Sequence, residues 1–182
     1  LLKRIPWKEN AVLSFRLSDD LFTLAQMRTN SLMEFFDVFR SSPDWAGTDL
    51  NKAPILFCAF AAENRFKSMV DQILPAGVVI PNARPVIRRM LSPIIESGGR
   101  YGADLVELDD SYESVKAQLI QGNLDAIKDR QIIHEHELTS MIGSPEKLRK
   151  RLLRWVETGV NWDDAKSFLF KDIPLPPPAG NR

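Results

Sequence analysis

Both histidines of the chain lie in one seven-residue stretch, Ile132-Ile-His-Glu-His-Glu-Leu138. Imidazoles alternating with carboxylates suit two chemistries, metal ligation and proton transfer between an acid and a base. Read as a strand over 130–138, the stretch puts His134 and His136 on one face beside Ile132 and Leu138. Two imidazoles on a face can begin a zinc site, but such a site needs a third or fourth ligand. The metalloprotease pattern spaces its histidines by four on a helix, and here the spacing is two. Glu96, Glu107 or Asp110 would have to be brought in by the fold. The leading expectation is a half-buried polar strand with local hydrogen bonds and no bound metal. A metal-dependent enzyme centred on His134 and His136 is the alternative.

Nucleophilic catalysis needs a hydroxyl or thiol beside a base. No serine stands in a Gly-x-Ser-x-Gly setting. The single cysteine, Cys58, lies within Ile55-Leu-Phe-Cys-Ala-Phe60, an apolar setting that raises a thiol pKa. It is expected to be a buried, reduced thiol in a reducing compartment. Gly98-Gly-Arg-Tyr-Gly102 lacks the Lys-Ser/Thr of a phosphate loop and reads as a turn. No catalytic residue and no cofactor follow from these motifs.

Charge is balanced in total and uneven in place. The 182 residues carry 24 basic and 24 acidic side chains, which gives no support to a general affinity for nucleic acid or an anionic membrane. No stretch is long and apolar enough to span a bilayer, and the opening Leu-Leu-Lys-Arg-Ile-Pro-Trp does not resemble a signal peptide. Asp104, Glu107, Asp109, Asp110 and Glu113 form a run with no intervening base. Lys147, Arg149, Lys150, Arg151 and Arg154 form a run with no acid. A carboxylate-rich surface can steer a basic protein partner, and a basic helix can touch nucleic acid. Solvated faces are the plainer reading of both.

The elements that must position these groups begin with a hairpin. Val12–Leu17 alternates, Ser18-Asp19-Asp20 is turn chemistry, and 21–27 returns. Residues 32–39 and 55–61 read as further strands, with a loop containing Trp45 over 40–54. A helix is expected over 64–74, broken pieces over 76–99, and a strand over 103–108. A short helix over 111–122 would align Tyr112, Val115 and Leu119. Ser144 caps a helix that starts at Pro145 and carries the stripe Leu148, Leu152, Trp155 and Val156, with Lys147, Arg149, Lys150 and Arg154 in water. Gly159 ends it. Asn161 caps a last helix over about 162–170 that buries Ala165, Phe168 and Leu169. Strands first and helices last predict an α+β fold with a mainly antiparallel sheet. One domain over 1–172 and an extended proline-rich tail over 173–182 complete the expectation.

Three stretches together resemble the immunity-protein 26 family of bacterial polymorphic-toxin and contact-dependent growth inhibition systems. They are Leu21–Met27 with Phe35–Phe39, Trp45 with Asp49-Leu-Asn51 and Ile55-Leu-Phe57, and Arg151–Asn161 with Lys166. The resemblance spans residues 7 to about 170 and is weakest over 68–130. It implies a cytoplasmic antidote that binds and blocks one cognate toxin domain, often a nuclease, and it implies no catalytic residues; the balanced charge adds the expectation of no direct contact with nucleic acid or membrane. Under that reading the candidate toxin-binding residues are Asp104, Glu107, Asp109, Asp110 and Glu113, with Asp44, Trp45 and Asp49 as a second surface.

Overall fold

A computed structural model describes residues 4–180. The fold is α+β, with mainly antiparallel sheets and the longest helix in the C-terminal half. Its strands are β1 (Val12–Ser18), β2 (Leu21–Met27), β3 (Leu32–Arg40), β4 (Thr48–Asp49), β5 (Ile55–Phe60), β6 (Val70–Ile73), β7 (Val79–Ile80), β8 (Arg89–Ile95), β9 (Tyr101–Glu107) and β10 (Gln118–Gln121). Its helices are α1 (Arg130–Glu135), α2 (Pro145–Thr158) and α3 (Asp164–Leu169). The chain divides into two compact units, one of residues 1–86 with 141–150 and one of 87–140 with 151–182.

The first unit is built on a five-stranded antiparallel sheet in the order β5-β3-β2-β1-β6. Alternation in β1 sends Phe15 to one face, where it meets Phe35 and Phe66 edge-on while Phe35 stacks on Phe57 at 4.6 Å. Val12, Leu24 and Phe36 join Trp45, Leu50 and Val79 in a second buried cluster. Nearly every residue of β1 and β2 is therefore buried. Cys58 is buried in β5, as its apolar run predicts. The helix expected over 64–74 is instead a 3-10 turn at Glu63–Phe66 followed by β6. β6 completes an edge of the sheet by pairing with β1, and that pairing overrides local helix propensity.

The second unit has a three-stranded antiparallel sheet in the order β10-β9-β8. β8 and β9 form a hairpin turned at Gly98-Gly99, where Gly99 has φ +82°. Pro93 falls inside β8 and hides it from a pattern reading. It is tolerated because β8 lies at the sheet edge. The helix expected over 111–122 is a 3-10 turn at Ser114–Lys116 and then β10. The strand expected over 130–138 is α1, with Ile133 pointing inward. α2 forms where expected: Lys147 N–H donates to Ser144 Oγ at 3.3 Å, and Gly159 terminates it at φ +71°. Leu148 and Leu152 are buried, whereas Trp155 and Val156 are only half-buried.

α3 turns a different face inward from the one expected. Ala165 and Phe168 are exposed, and Lys166 is buried with Leu169. Asp163, not Asn161, caps it, accepting from Ala165 N–H at 2.9 Å. Asn161 instead accepts from Arg151 Nε at 2.8 Å. The core of this unit gathers Leu91, Ala103 and Leu105 from the sheet, Ile133, Leu138, Trp162, Leu169 and Phe170. Over its described residues, 173–180, the proline-rich tail runs without regular structure. It is held at Pro174, whose carbonyl accepts from His134 Nε2, and at Ala179, whose N–H donates to Gly159 O.

Candidate functional site

The histidines have separate local duties. His134 donates through Nε2 to Pro174 O at 2.9 Å and meets the Trp162 ring edge-on at 5.5 Å. His136 stands just past α1 and donates through Nδ1 to Ile132 O at 2.9 Å, satisfying a helix-end carbonyl. Because 130–135 is helical, the two rings do not share a strand face. Among the described residues no three His, Cys, Asp or Glu side chains are grouped so as to hold a metal ion.

Glu137, next in sequence, is the centre of a buried ionic network. Arg151 from α2 forks onto it, Nη1 at 2.9 Å and Nη2 at 2.7 Å. Lys166, 1% exposed, donates from Nζ to Ile133 O at 3.0 Å and lies 5.1 Å from the Trp162 ring centroid. Burial alone would raise the Glu137 pKa, but the positive charges of Arg151 and Lys166 and the Arg151 hydrogen bonds outweigh it and hold the carboxylate down at about 2. Burial pushes the Lys166 ammonium below its ordinary value, against the opposing pull of Glu137. Every oxygen of this carboxylate is engaged by protein, so the arrangement joins α2 and α3 to the segment after α1.

The basic run on α2 is thus divided. Arg151 is a buried structural cation, and Arg154 is anchored to Asp164 at 2.8 Å and to the carbonyl of Trp162. Arg154, expected in water, is half-buried.

The acidic run is an ordered connection from β9 into β10. Asp104 on β9 accepts from Asn123 N–H at 2.6 Å. Glu107 at the end of β9 is 3.8 Å from Arg89. Asp109 accepts from both Ser111 N–H and its hydroxyl, at 2.9 and 2.6 Å, and these bonds lower its pKa. Asp110, with its side chain 95% exposed, pairs with Arg88, whose guanidinium also covers the Tyr112 ring at 5.3 Å. Glu113 pairs with Lys116 at 2.9 Å. Each carboxylate of a run with no base in sequence therefore has a hydrogen-bond or ion-pair partner, and two of those partners are Arg88, just before β8, and Arg89, its first residue. The loop is an ordered projection of ionised groups whose negative field is partly offset by Arg88, Arg89 and Lys116.

The second expected surface is altered in a different way. Trp45 is 1% exposed, its indole N–H donating to Ser14 Oγ at 2.9 Å inside the first unit. It cannot serve as an exposed anchor. A tryptophan between polar loop residues reads equally well as anchor or core plug, and here the buried hydroxyl of Ser14 gave its N–H a partner indoors. Asp44 remains exposed, and Asp49 is half-buried on Asn51.

Sequence reasoning missed the apolar groups beside the acidic loop. Val115 is 89% exposed, Leu119 63% and Ile120 47%. Two of these, Val115 and Leu119, were expected to share one face of a helix with Tyr112. The signal available was the stretch Gln118-Leu-Ile-Gln121, which is too short for a helix and has strand-forming residues at its centre.

A family model described as a domain of unknown function, DUF8309, matches residues 2–174. The chain belongs to that family. No curated protein and no solved structure matches it. Among the described residues no helix is long and apolar enough to cross a membrane.

Proposed function

We propose that this chain is an immunity protein of the cytoplasm that neutralises a cognate toxin domain by binding it, without catalysis of its own. The resemblance to immunity-protein 26 over three separate stretches supports the class, with a nuclease as the kind of toxin most consistent with it. The observation that carries the binding reading is the loop after β9. Asp109, Asp110 and Glu113 are held in fixed positions by Ser111, Arg88 and Lys116 while Asp110 remains open to solvent. A pre-ordered polar loop loses little conformational freedom on docking. Its carboxylates can exchange intramolecular arginine and lysine partners for those lining a phosphate-binding cleft, which favours fast encounter more than raw affinity.

The test is co-expression with the C-terminal domain of the large secreted protein expected from the neighbouring upstream gene. Survival of the cells, with a one-to-one complex recovered, is the expected result. Death of cells that contain abundant soluble chain would sink the reading.

A further inference from the structure

We infer that Val115 and Leu119, on the limb that returns from the acidic loop, are the apolar anchors of the toxin contact, and that the carboxylates of the loop form its polar rim. The inference rests on the immunity reading and names the groups that set the off-rate of that complex. Residues 101–121 run out along β9, through the acidic loop and back along β10. On the return limb two apolar side chains face water: Val115, in the turn at Ser114–Lys116, is 89% exposed, and Leu119, opposite Val106 of β9, is 63% exposed. Both stand on ordered backbone. Lys116 N–H donates to Glu113 O at 3.1 Å and Ala117 N–H to Ser114 O at 3.3 Å, while Leu119 belongs to the β9–β10 ladder. Side chains held in this way lose little freedom when they dock.

Charge selects the occupant. Residues 101–121 carry five carboxylates, Asp104, Glu107, Asp109, Asp110 and Glu113, and one base, Lys116. Arg88 and Arg89 come in from the neighbouring strand and leave an acidic excess. A nucleic acid or an anionic bilayer would meet like charge here. A basic protein surface meets its complement, and a domain that holds phosphate is basic. Protein interfaces place uncharged groups at the centre of the patch and polar groups around it. The hairpin has both parts within one stretch of chain: uncharged Val115 and Leu119 on the return limb, and carboxylates on the loop before them. The carboxylates steer the approach, and burial of the two apolar side chains then slows departure.

The test is binding kinetics of the full chain with the toxin domain from the upstream gene, beside Val115→Ser and Leu119→Thr, each checked for an unchanged circular dichroism spectrum. Each variant should dissociate about tenfold faster than the parent, the order expected for losing a buried valine or leucine contact, with little change in association. Hydrogen exchange of the parent needs no variant: backbone amides over 113–121 should exchange more slowly in the complex. A parent that forms no complex sinks the immunity reading and this inference with it. A parent that binds and protects cells, while both folded variants dissociate at its rate, overturns the anchors and leaves the immunity reading standing. Unchanged exchange over 113–121 in the complex does the same. So does a parent that sediments as a dimer which both variants abolish, because a second copy would then be what covers Val115 and Leu119.

Discussion

Among the described residues each unit buries one arginine–carboxylate pair, and the two are built differently. In the first unit Arg28 reaches Glu34 through one contact, Nη1 to Oε2 at 2.6 Å, and the same oxygen takes Asn82 Nδ2 at 2.8 Å. Glu34 Oε1 and Arg28 Nε are left without a partner among the described residues. In the second unit Arg151 uses both terminal nitrogens on the two oxygens of Glu137 and its Nε on Asn161. The second carboxylate also has a buried ammonium, Lys166, near it. A buried charge is costly, and complete pairing is what offsets that cost. The difference teaches where each unit depends on ionisation: the second relies on a fully used carboxylate, the first on a hydrogen-bonded cluster in which one oxygen is idle. The surface pairs of the acidic loop form a third class, with the same residue types in contact with water.

The largest expected effect breaks the complete pair. Glu137→Gln removes the negative charge while Arg151 and Lys166 stay buried, and should destabilise the chain by about 3–5 kcal/mol in chemical denaturation. Glu34→Gln should cost less, about 1–3 kcal/mol, since one oxygen already makes no bond. Equal losses at the two sites would erase the distinction. Leu152→Ala is the apolar control beside Arg151. Leu152 is fully buried, so truncation should cost roughly 2–5 kcal/mol, and a neutral result would show that its site collapses or exposes it.

Acid sharpens the same comparison. Unfolded, the Glu137 carboxyl titrates near 4.5; folded, it stays ionised down to about 2. The unfolded state therefore binds the proton first, and the stability due to this group is full above 4.5 and lost as pH falls toward about 2. Lys166 has the same sign on its own titration, because its folded pKa is also depressed and stability due to it rises with pH. Thermal melts across the acid range should show the melting temperature dropping between these values, with a flatter profile in Glu137→Gln. An unchanged slope in that variant would place the acid sensitivity elsewhere.

How far these groups could be read from sequence depended on what each one touches. β1, β2, β3 and β5 were legible because long apolar or alternating runs reflect a buried sheet directly. α2 was legible from Ser144, Pro145 and Gly159, local signals that need no tertiary context. The short elements were not. Six residues at 130–135 and four at 118–121 take their conformation from what they pack on, so the alternation of His134 and His136 mimicked a strand. On α3 the apolar Ala165 and Phe168 were expected inside with Leu169; the carbonyl of Ile133 and the charge of Glu137 instead draw the Lys166 ammonium inward. The base-free acidic run was a feature of chain order only, since Arg88 and Arg89 arrive from the neighbouring strand. The return of 141–150 to the first unit, too, has no linear signature.

The smallest expected stability effect bears most on function. Asp109 and Asp110 lie on the surface, where ion pairs and exposed hydrogen bonds contribute little to stability. Asp109→Asn with Asp110→Asn should leave the denaturation midpoint close to that of the parent, in contrast to Glu137→Gln. Measured against the cognate toxin domain, the same double variant should associate more slowly, and the deficit should shrink as salt rises, because screening removes from the parent the steering that the variant already lacks. Dissociation should change less than association, since steering acts before contact. A variant as stable as the parent and equally fast at low salt would leave the loop with no role in encounter and send the search for the toxin contact to Asp44 and Asp49. A variant that instead unfolds would mean that the Ser111 and Arg88 bonds hold the β9–β10 connection together, and the division between interior and surface carboxylates would fail at its simplest point.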